Sequence, residues 1–370
     1  MQWLAARGGG YTALLSDTLK YLNDGWWRKA HRSALSAAVT AAAQAGESCE
    51  EDGVEVLDVG SGTGTLAVWA ALAGATRVFS CERERWAALM AAATVGLSGV
   101  ADVVRVGYQH QGCEATSHLS RPRVVVHDIL GTPARMGSTA ALHDTQRVLD
   151  AILQGPWRAQ GMGRLCAGGP VPVITVPAAV RVYLQVVHSP IGGSYVSVPS
   201  TVAGHNVSNW RALVTTEANK LEHTASQVPR WPLTQRHLIT HWDFTNSSRR
   251  MEETWQRDFD LPVLQAGLAH MVVISREFDF VGGGVYSDTT SWADVDEARE
   301  AEGLSGPRGW DDGGDGAAPS DGDREERERP VPEVGQLMFV GPGVMVERGG
   351  TARVRVTHGA QGFHAVLLPK

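Results

Sequence analysis

Three glycines spaced two residues apart, Gly60, Gly62 and Gly64, mark the stretch best suited to chemistry. They follow a short apolar run containing Asp58 and precede a run of alanine, leucine and tryptophan, which predicts a strand, a loop and a helix. A second short apolar run ends on Glu82. Glycines let the backbone approach a ligand closely, a helix N-terminus offers unpaired N–H groups, and an acid at the next strand end can hold two ribose hydroxyls. The unit predicts a site for an adenosine-containing ligand, with a tight turn of another α/β unit as the alternative.

The spacing of the glycines distinguishes two such ligands. A dinucleotide fingerprint reads GxGxxG, whereas here the third glycine comes one position earlier and Asp58 stands two residues before the first. VLDVGSGTG resembles motif I of the class I S-adenosylmethionine (SAM) methyltransferases, and most of all that of the protein arginine methyltransferases. The resemblance implies SAM rather than NAD, bound by Asp58, Gly60, Gly62, Gly64 and Glu82.

The amino-terminal segment carries a second part of the resemblance. Its leucines and Trp26 recur at spacings of three and four residues, which predicts an amphipathic helix. Leu14, Leu15, Asp17 and Lys20 match the family pattern LLxDxxR, with lysine in the arginine position. The resemblance implies that Lys20 pairs with the methionine carboxylate of SAM. A lysine keeps the positive charge but loses the bidentate fork, which predicts looser cofactor binding.

A loop at residues 109–114 follows the next predicted strand, at 102–106. The family places an acid of this loop against the adenine amino group, so the resemblance implies Glu114 for that role. The alternative is a solvated loop glutamate.

The apolar run RVVV ends in polar residues at the strand edge that lines the crevice of open α/β sheets. In the arginine methyltransferases a loop begins here in which two glutamates grip the guanidinium and orient one nitrogen. HDILGTPARMGS resembles the trypanosomatid-like form, SEILGTxxxxES, so the resemblance implies Asp128 for the first glutamate and Gly137 for the second. His127, Asp144 or Asp150 are substitutes for the missing carboxylate, and the spacing selects none of them. The alternative is that Asp128 is an ordinary strand-end residue of an inactive site.

Three parts of the chain are expected to position these residues. Residues 1–50 are a helical segment that closes over the cofactor, and residues 51–165 are an α/β, Rossmann-like SAM methyltransferase domain. From about Cys166 short runs alternate apolar and polar residues without intervening helices, so residues 166–370 are expected to form an antiparallel, β-barrel-like domain.

The resemblance extends to the second domain. The family has a Thr-His-Trp loop, but Thr240-His241-Trp242 lies in a predicted strand before AHMVVISREFDF, whereas the family loop follows that strand. We therefore interpret this tripeptide as coincidental. The positional match is Thr290-Ser291-Trp292, with serine in place of histidine, or else the turn ERPVPEVGQLMF, which lacks all three residues.

Two intervals of the second domain have their own predictions. Residues 202–231 correspond to the family's dimerisation arm, and the resemblance alone predicts an arm there. Residues 293–330 are rich in Asp, Glu, Gly and Arg, which predicts a disordered acidic insertion. Such an insertion is a solvated loop, or alternatively a lure or plug for basic peptides.

Composition indicates the number of domains, the class of binding partner and the cellular location to expect. The 370 residues, 43% of them hydrophobic, suffice for two packed modules, and the net charge of −7 argues against a nucleic-acid surface while suiting a basic protein substrate. The four cysteines show no CxxC spacing, so neither a zinc site nor a disulfide framework is predicted. We find no 18-residue apolar run, and we expect a soluble protein of the cytoplasm, with the nucleus as an alternative and no membrane partner.

The resemblance as a whole implies methyl transfer from SAM to arginine of a protein, by a homodimer or a heteromer with a related methyltransferase. The LLSD start and the ILGT loop are nearest the monomethylating, type III branch. Two alternatives stay open. One is a catalytically weak paralogue that binds SAM and supports an active partner, and the other is methylation of a different acceptor, for which Asp128 alone suffices.

Overall fold

The fold is a helix-covered parallel sheet followed by antiparallel sheets, seen in a computed structural model. The structure describes residues 25–47, 53–82, 84–108, 122–127, 150, 173–189, 201–202, 205–206, 219–224, 230–245, 254–281, 285–287, 335–359 and 362–369. Its helices are α1 (Gly25–Glu47), α2 (Thr65–Leu72) and α3 (Arg85–Leu97). The strands of the parallel sheet are β1 (Glu55–Val59), β2 (Arg77–Glu82), β3 (Val104–Tyr108), β4 (Val124–His127) and β5 (Ile174–Val176).

The remaining strands are antiparallel. They are β6 (Ala179–His188), β7 (Thr201–Val202), β8 (His205–Asn206), β9 (Asn219–Thr224), β10 (Trp231–Pro232), β11 (His237–Asp243), β12 (Trp255–Pro262), β13 (Gly267–Asp279), β14 (Val285–Ser287), β15 (Gly335–Val346), β16 (Thr351–Gly359) and β17 (Gly362–Leu367). This architecture confirms the predicted fold class, an α/β domain followed by an antiparallel β domain.

The parallel sheet has the order β3-β2-β1-β4-β5, with β1 at its centre. All five residues of β1 are buried, as expected for a central parallel strand covered on both faces. At the carboxyl edge Val59 pairs in register with Cys81 on one side and His127 on the other. The glycine loop, Glu82 and the end of β4 therefore meet at one edge of the sheet, where open α/β folds bind ligands.

Helix α1 packs on this sheet through one apolar face. Trp27, Leu35 and Val39 lie on that face at helical spacing and are buried, together with His31. The Nη1 group of Arg123, just before β4, donates to the carbonyl oxygen of Ala42 at 2.8 Å. This buried hydrogen bond joins α1 to the segment that leads into β4.

The antiparallel part contains a seven-stranded sheet and a three-stranded sheet. The first has the order β10-β6-β13-β15-β9, with β11 also paired to β6 and β14 to β13, and the second has the order β12-β16-β17. Alternate residues of β6 are fully buried, which confirms the period-two pattern read from the sequence.

Sheet membership differs from the sequence division at one point. The sequence assigned everything after residue 165 to the second domain, yet β5 pairs in parallel with β4 and belongs to the first sheet. A three-residue apolar strand carries no periodicity that would separate the two sheets.

Two other regions add detail to the sequence predictions. Within residues 202–231 the described residues form the β7-β8 hairpin and β9, which pairs with β15, so part of this interval is barrel sheet. A dimerisation arm there stays a prediction, and residues 293–330 lie outside the described part.

Cys81 is disulfide-bonded, whereas the spacing of the cysteines predicted no disulfide framework. The other three cysteines lie outside the described residues.

None of the described helices is both long and apolar enough to cross a membrane.

Candidate functional site

The glycine loop has the left-handed backbone that its sequence predicts. Gly60, Gly62 and Gly64 have φ values of 78°, 52° and 79°. A Cβ on Gly64 would lie 3.0 Å from the Cα of Ala91, so this glycine lets the start of α2 pack closely on α3. A Cβ on Gly62 would meet nothing within 4 Å, so the loop is open on that side.

Glu82 holds this loop from the end of β2. Its Oε2 accepts the backbone N–H of Gly62 at 2.8 Å, and its Oε1 accepts the N–H of Glu84 at 2.8 Å. A carboxylate has about four acceptor positions, so two backbone hydrogen bonds are compatible with binding hydroxyls as well. The sequence prediction placed Glu82 at this mouth, and the structure brings it to the glycine loop.

Asp58 lies beneath the loop rather than at its surface. It is fully buried, and the hydroxyl of Ser80 donates to its Oδ2 at 2.8 Å. Asp58 and Ser80 are register partners on β1 and β2. Sequence reasoning missed Ser80, whose only signal was one hydroxyl in an otherwise apolar strand. The pair fixes the carboxylate in an environment where an unsupported charge would be costly.

The end of β4, where the sequence predicts the acceptor side, is a buried histidine. His127 is 1% exposed, and its ring meets the ring of Phe244, just after β11, edge-on at a centroid distance of 4.4 Å and an angle of 76°. Neither ring nitrogen has a hydrogen-bond partner in the part of the chain that the structure describes. The ring thus joins the end of β4 to the barrel-like domain by packing alone.

His127 and His31 are both held neutral. Burial, followed by the nearby His31, lowers the pKa of His127 to about 3. Burial lowers the pKa of His31 to about 4, partly offset because the ring hydrogen-bonds the carbonyl oxygen of Trp27 at 3.0 Å. Aromatic rings surround His31, with Trp27 at 4.3 Å and Phe280 at 5.0 Å between centroids. An imidazolium has little to stabilise it here.

Other predicted site residues lie outside the described part of the chain. These are Lys20, Glu114, Asp128, Gly137, Asp144 and the Thr290-Ser291-Trp292 segment. Their roles stay predictions. Asp150 is described, half-buried and engaged in an interaction of its own.

The tripeptide Thr240-His241-Trp242 lies within β11, in the strand position expected from the sequence. Trp242 is buried and packs on Phe363 at 5.9 Å between ring centroids. Among the described residues no group of three or more His, Cys, Asp or Glu side chains could hold a metal ion.

Two known methyltransferases are similar in sequence to parts of this chain. The family model of ribosomal protein L11 methyltransferase (PrmA) matches residues 39–141. An arginine N(omega)-methyltransferase from Streptomyces achromogenes subsp. streptozoticus is 48% identical over 54 residues, which are 15% of this chain and 15% of that protein. The match therefore spans only a small part of either chain.

Similarity to solved structures covers nearly the whole chain. The Trypanosoma brucei PRMT1 enzyme-prozyme heterotetrameric complex with AdoHcy gives a TM-score of 0.62 at 15% identity, over 95% of this chain and 93% of that one. Arabidopsis thaliana protein arginine methyltransferase 10 gives a TM-score of 0.60 at 13% identity, over 97% of this chain and 98% of that one. PRMT6 gives a TM-score of 0.58 at 14% identity, over 96% of this chain and 99% of that one. The chain has the fold of the protein arginine methyltransferases, a Rossmann-like methyltransferase domain followed by a barrel-like β domain.

Proposed function

We propose that the chain transfers a methyl group from SAM to an arginine side chain of a protein. The observation that carries this proposal is the carboxylate of Glu82 held at the mouth of the glycine loop. That arrangement suits an adenosine ribose, because an acid at the end of the second strand and a glycine loop before a helix N-terminus lie together at the carboxyl edge of the sheet. The shared fold and the arginine N(omega)-methyltransferase segment support arginine as the acceptor.

The residues present fit SAM. Glu82 takes the ribose hydroxyls, the open side of Gly62 leaves room beside the loop, and the buried Asp58–Ser80 pair fixes the strand end beneath it. Lys20 and Glu114 are proposed for the methionine carboxylate and the adenine amino group. Bound SAM supplies a methyl group on a positively charged sulfur, which an acceptor nitrogen can attack.

Asp128 is proposed to hold the guanidinium. A carboxylate accepts the guanidinium N–H groups, orients one nitrogen and stabilises the positive charge during methyl transfer. Gly137, in the position of the second glutamate, provides no side chain. Loss of one charged hydrogen-bond acceptor costs about 1.5–3 kcal/mol, so we expect transfer at about a tenth of the rate of a complete clamp, or less. We also propose monomethylation, because the ILGT loop resembles that of the monomethylating branch.

The missing carboxylate favours a second function, in which the chain binds SAM and supports an active partner. A solved relative by fold is an enzyme-prozyme heterotetramer, which makes a heteromer a reasonable form for such a role. The two functions differ in one respect that can be measured: only the first predicts transfer by the isolated chain.

Association with a second copy, or with a related methyltransferase, is part of the proposal. Leu72 on α2 and Leu89 and Leu97 on α3 are 64%, 65% and 91% exposed. These exposed leucines lie on two helices that contact each other, and we propose that they belong to the interface. Leu89→Glu should lower the mass found by analytical ultracentrifugation, whereas Leu238→Glu, on the barrel-like domain, should not. A parent that sediments as a monomer would contradict self-association.

Labelled SAM tests the activity. The isolated chain should transfer label to an arginine-rich peptide and not to the same peptide with lysine in place of arginine, with monomethylarginine as the product by mass spectrometry. Both the cytoplasm and the nucleus, the proposed locations, contain arginine-rich proteins as substrates. SAM binding without transfer would favour the supporting role, and failure to bind SAM would contradict both functions.

A further inference from the structure

Two histidines lie side by side at one end of the seven-stranded sheet. Val187 and Met271 are register partners at the end of the antiparallel pairing of β6 with β13. His188 follows Val187 and His270 precedes Met271, so these two residues face each other across the strands. Facing side chains lie on the same side of a sheet, and the two ring centroids are 5.3 Å apart. The two imidazoles therefore form a pair.

One backbone oxygen orients both rings. The Nδ1 atom of His188 lies 3.1 Å from the carbonyl oxygen of Leu268, and the Nδ1 atom of His270 lies 2.9 Å from the same oxygen. Because a carbonyl oxygen only accepts, each Nδ1 carries the proton, and in the neutral imidazole each Nε2 has a lone pair. A metal-binding histidine commonly donates its other ring N–H to a backbone carbonyl in this way.

Both Nε2 atoms are available to a ligand. Neither of them makes a hydrogen bond or an ion pair in the described structure. His188 is half-buried, and although His270 is only 4% exposed as a whole, its Nε2 atom is not fully buried. The ring of Trp231, which is 45% exposed, packs on that of His188 at 5.8 Å between centroids. The pair thus opens to solvent beside Trp231.

The spacing of the rings suits one metal ion. Two imidazoles bound through Nε2 to a tetrahedral ion, with metal–nitrogen bonds of about 2.1 Å, have ring centroids about 5 Å apart. The observed distance is 5.3 Å. Imidazole nitrogen suits Zn²⁺, Cu²⁺ and Ni²⁺, whereas Mg²⁺ and Ca²⁺ prefer oxygen ligands. Two protein ligands leave the other positions to water, so we expect weaker binding than at a structural zinc site.

We propose that His188 and His270 bind a transition-metal ion of the zinc and copper class, each through its Nε2 atom. A bound ion joins β6 to β13 and stabilises the folded chain, because the unfolded chain does not hold the two rings together. The site uses none of the residues proposed for SAM or for the acceptor arginine.

Calorimetry of the full chain with ZnCl₂ tests the site. We expect one ion per chain to bind at this pair, and His188→Gln and His270→Gln each to weaken that binding about tenfold or more, since loss of even a residue that supports a ligand has an effect of this size. MgCl₂ should not bind there. The half-buried His188 keeps the test valid if His270→Gln does not fold.

His237→Gln is the matched control. His237 is exposed on β11, and its ring packs on Phe259 rather than on a second histidine. Its replacement should leave the Zn²⁺ affinity unchanged.

Fluorescence with CuCl₂ gives a second measurement, because Cu²⁺ quenches a nearby indole and Trp231 packs on His188. The emission lost at one equivalent should be smaller in Trp231→Phe and in His188→Gln than in the parent.

Three outcomes would overturn the proposal. The first is a parent that does not bind Zn²⁺. The second is equal affinity in the parent and both glutamine variants, because the ion would then bind elsewhere in the chain. The third is a loss of affinity in only one folded variant, which would show a single histidine ligand. SAM binding and methyl transfer take no part in these measurements, so the metal site and the proposed function are tested separately.

Discussion

The two edges of the site, the loop after β1 and the end of β4, are built differently. On the cofactor side Glu82 accepts the N–H of Gly62 and Ser80 donates to Asp58, while the buried hydroxyl of Ser61 in the glycine loop has no partner among the described residues. On the acceptor side a buried imidazole ends the strand with both nitrogens unpaired in the described structure. Two side-chain hydrogen bonds therefore hold the cofactor side, whereas the ring at the end of β4 is held by packing on Phe244. Polar contacts and aromatic packing thus stabilise neighbouring parts of one sheet edge.

Acid should produce the largest effect, and it acts near the acceptor side. His31 and His127 are neutral when folded and take up protons on unfolding below the ordinary histidine pKa of 6.5. The free energy of unfolding is therefore unaffected by these two groups above pH 6.5, and it falls as the pH is lowered from 6.5 towards 4. Each histidine lowers it by about 1.4 kcal/mol per pH unit, and the two together lower it by about 3 kcal/mol per unit.

Urea unfolding at pH 6.5, 5.5 and 4.5 measures this dependence. His127→Phe should reduce the slope of the unfolding free energy by about half, while replacement of the exposed His237 is the matched control. An equal slope in the parent and His127→Phe would show that the ring takes up a proton in the folded state.

Gly64→Ala should destabilise the glycine loop on the cofactor side, because it strains the backbone there. The residue has a φ of 79°, and a Cβ would lie 3.0 Å from the Cα of Ala91, so we expect a loss of about 1–3 kcal/mol in the free energy of unfolding. Gly96→Ala in α3, where a Cβ meets nothing within 4 Å, should be neutral or stabilising by up to about 1 kcal/mol. Chemical denaturation of both variants provides the comparison, and equal stability would mean that the loop relaxes freely.

Glu82→Ala should weaken SAM binding by about 1–3 kcal/mol, because the ribose hydroxyls and the Gly62 N–H lose their acceptor. Glu84→Ala is a matched control, since only the backbone N–H of Glu84 takes part in the contact. Titration calorimetry with SAM gives both affinities. Unchanged affinity in Glu82→Ala would place the ribose elsewhere.

Ser80→Ala should have a smaller effect, about 1–2 kcal/mol on the free energy of unfolding, because the buried Asp58 loses a hydrogen-bond donor. Thr175→Val, which removes a buried hydroxyl without a partner in the described structure, should cost nothing or stabilise. The melting temperatures of the two variants compare the loss of a hydrogen-bonded hydroxyl, that of Ser80, with the loss of a hydroxyl that makes no described hydrogen bond, that of Thr175. Equal melting temperatures would show that the Ser80 bond contributes nothing.

The sequence predicted what is local. The glycine loop and Glu82 lie within one strand-loop-helix-strand unit, so their spacing alone predicted that they meet. The Ser80–Asp58 bond depends on strand register, and the contact of His127 with Phe244 joins residues 117 positions apart. Neither has a signal in composition or periodicity. Strand β5 was assigned to the wrong sheet for a similar reason, since its three residues fit either sheet.

We propose that this chain itself methylates arginine with one carboxylate in place of two. The test compares the methyl-transfer rate of the isolated parent with that of the double variant Asp128→Glu, Gly137→Glu. This variant rebuilds the pair of carboxylates. Thermal melting first shows that the variant is folded. We expect measurable transfer by the parent and transfer about tenfold faster, or more, by the variant. An inert parent that binds SAM, beside an active variant, would contradict it and identify the natural chain as a supporting partner.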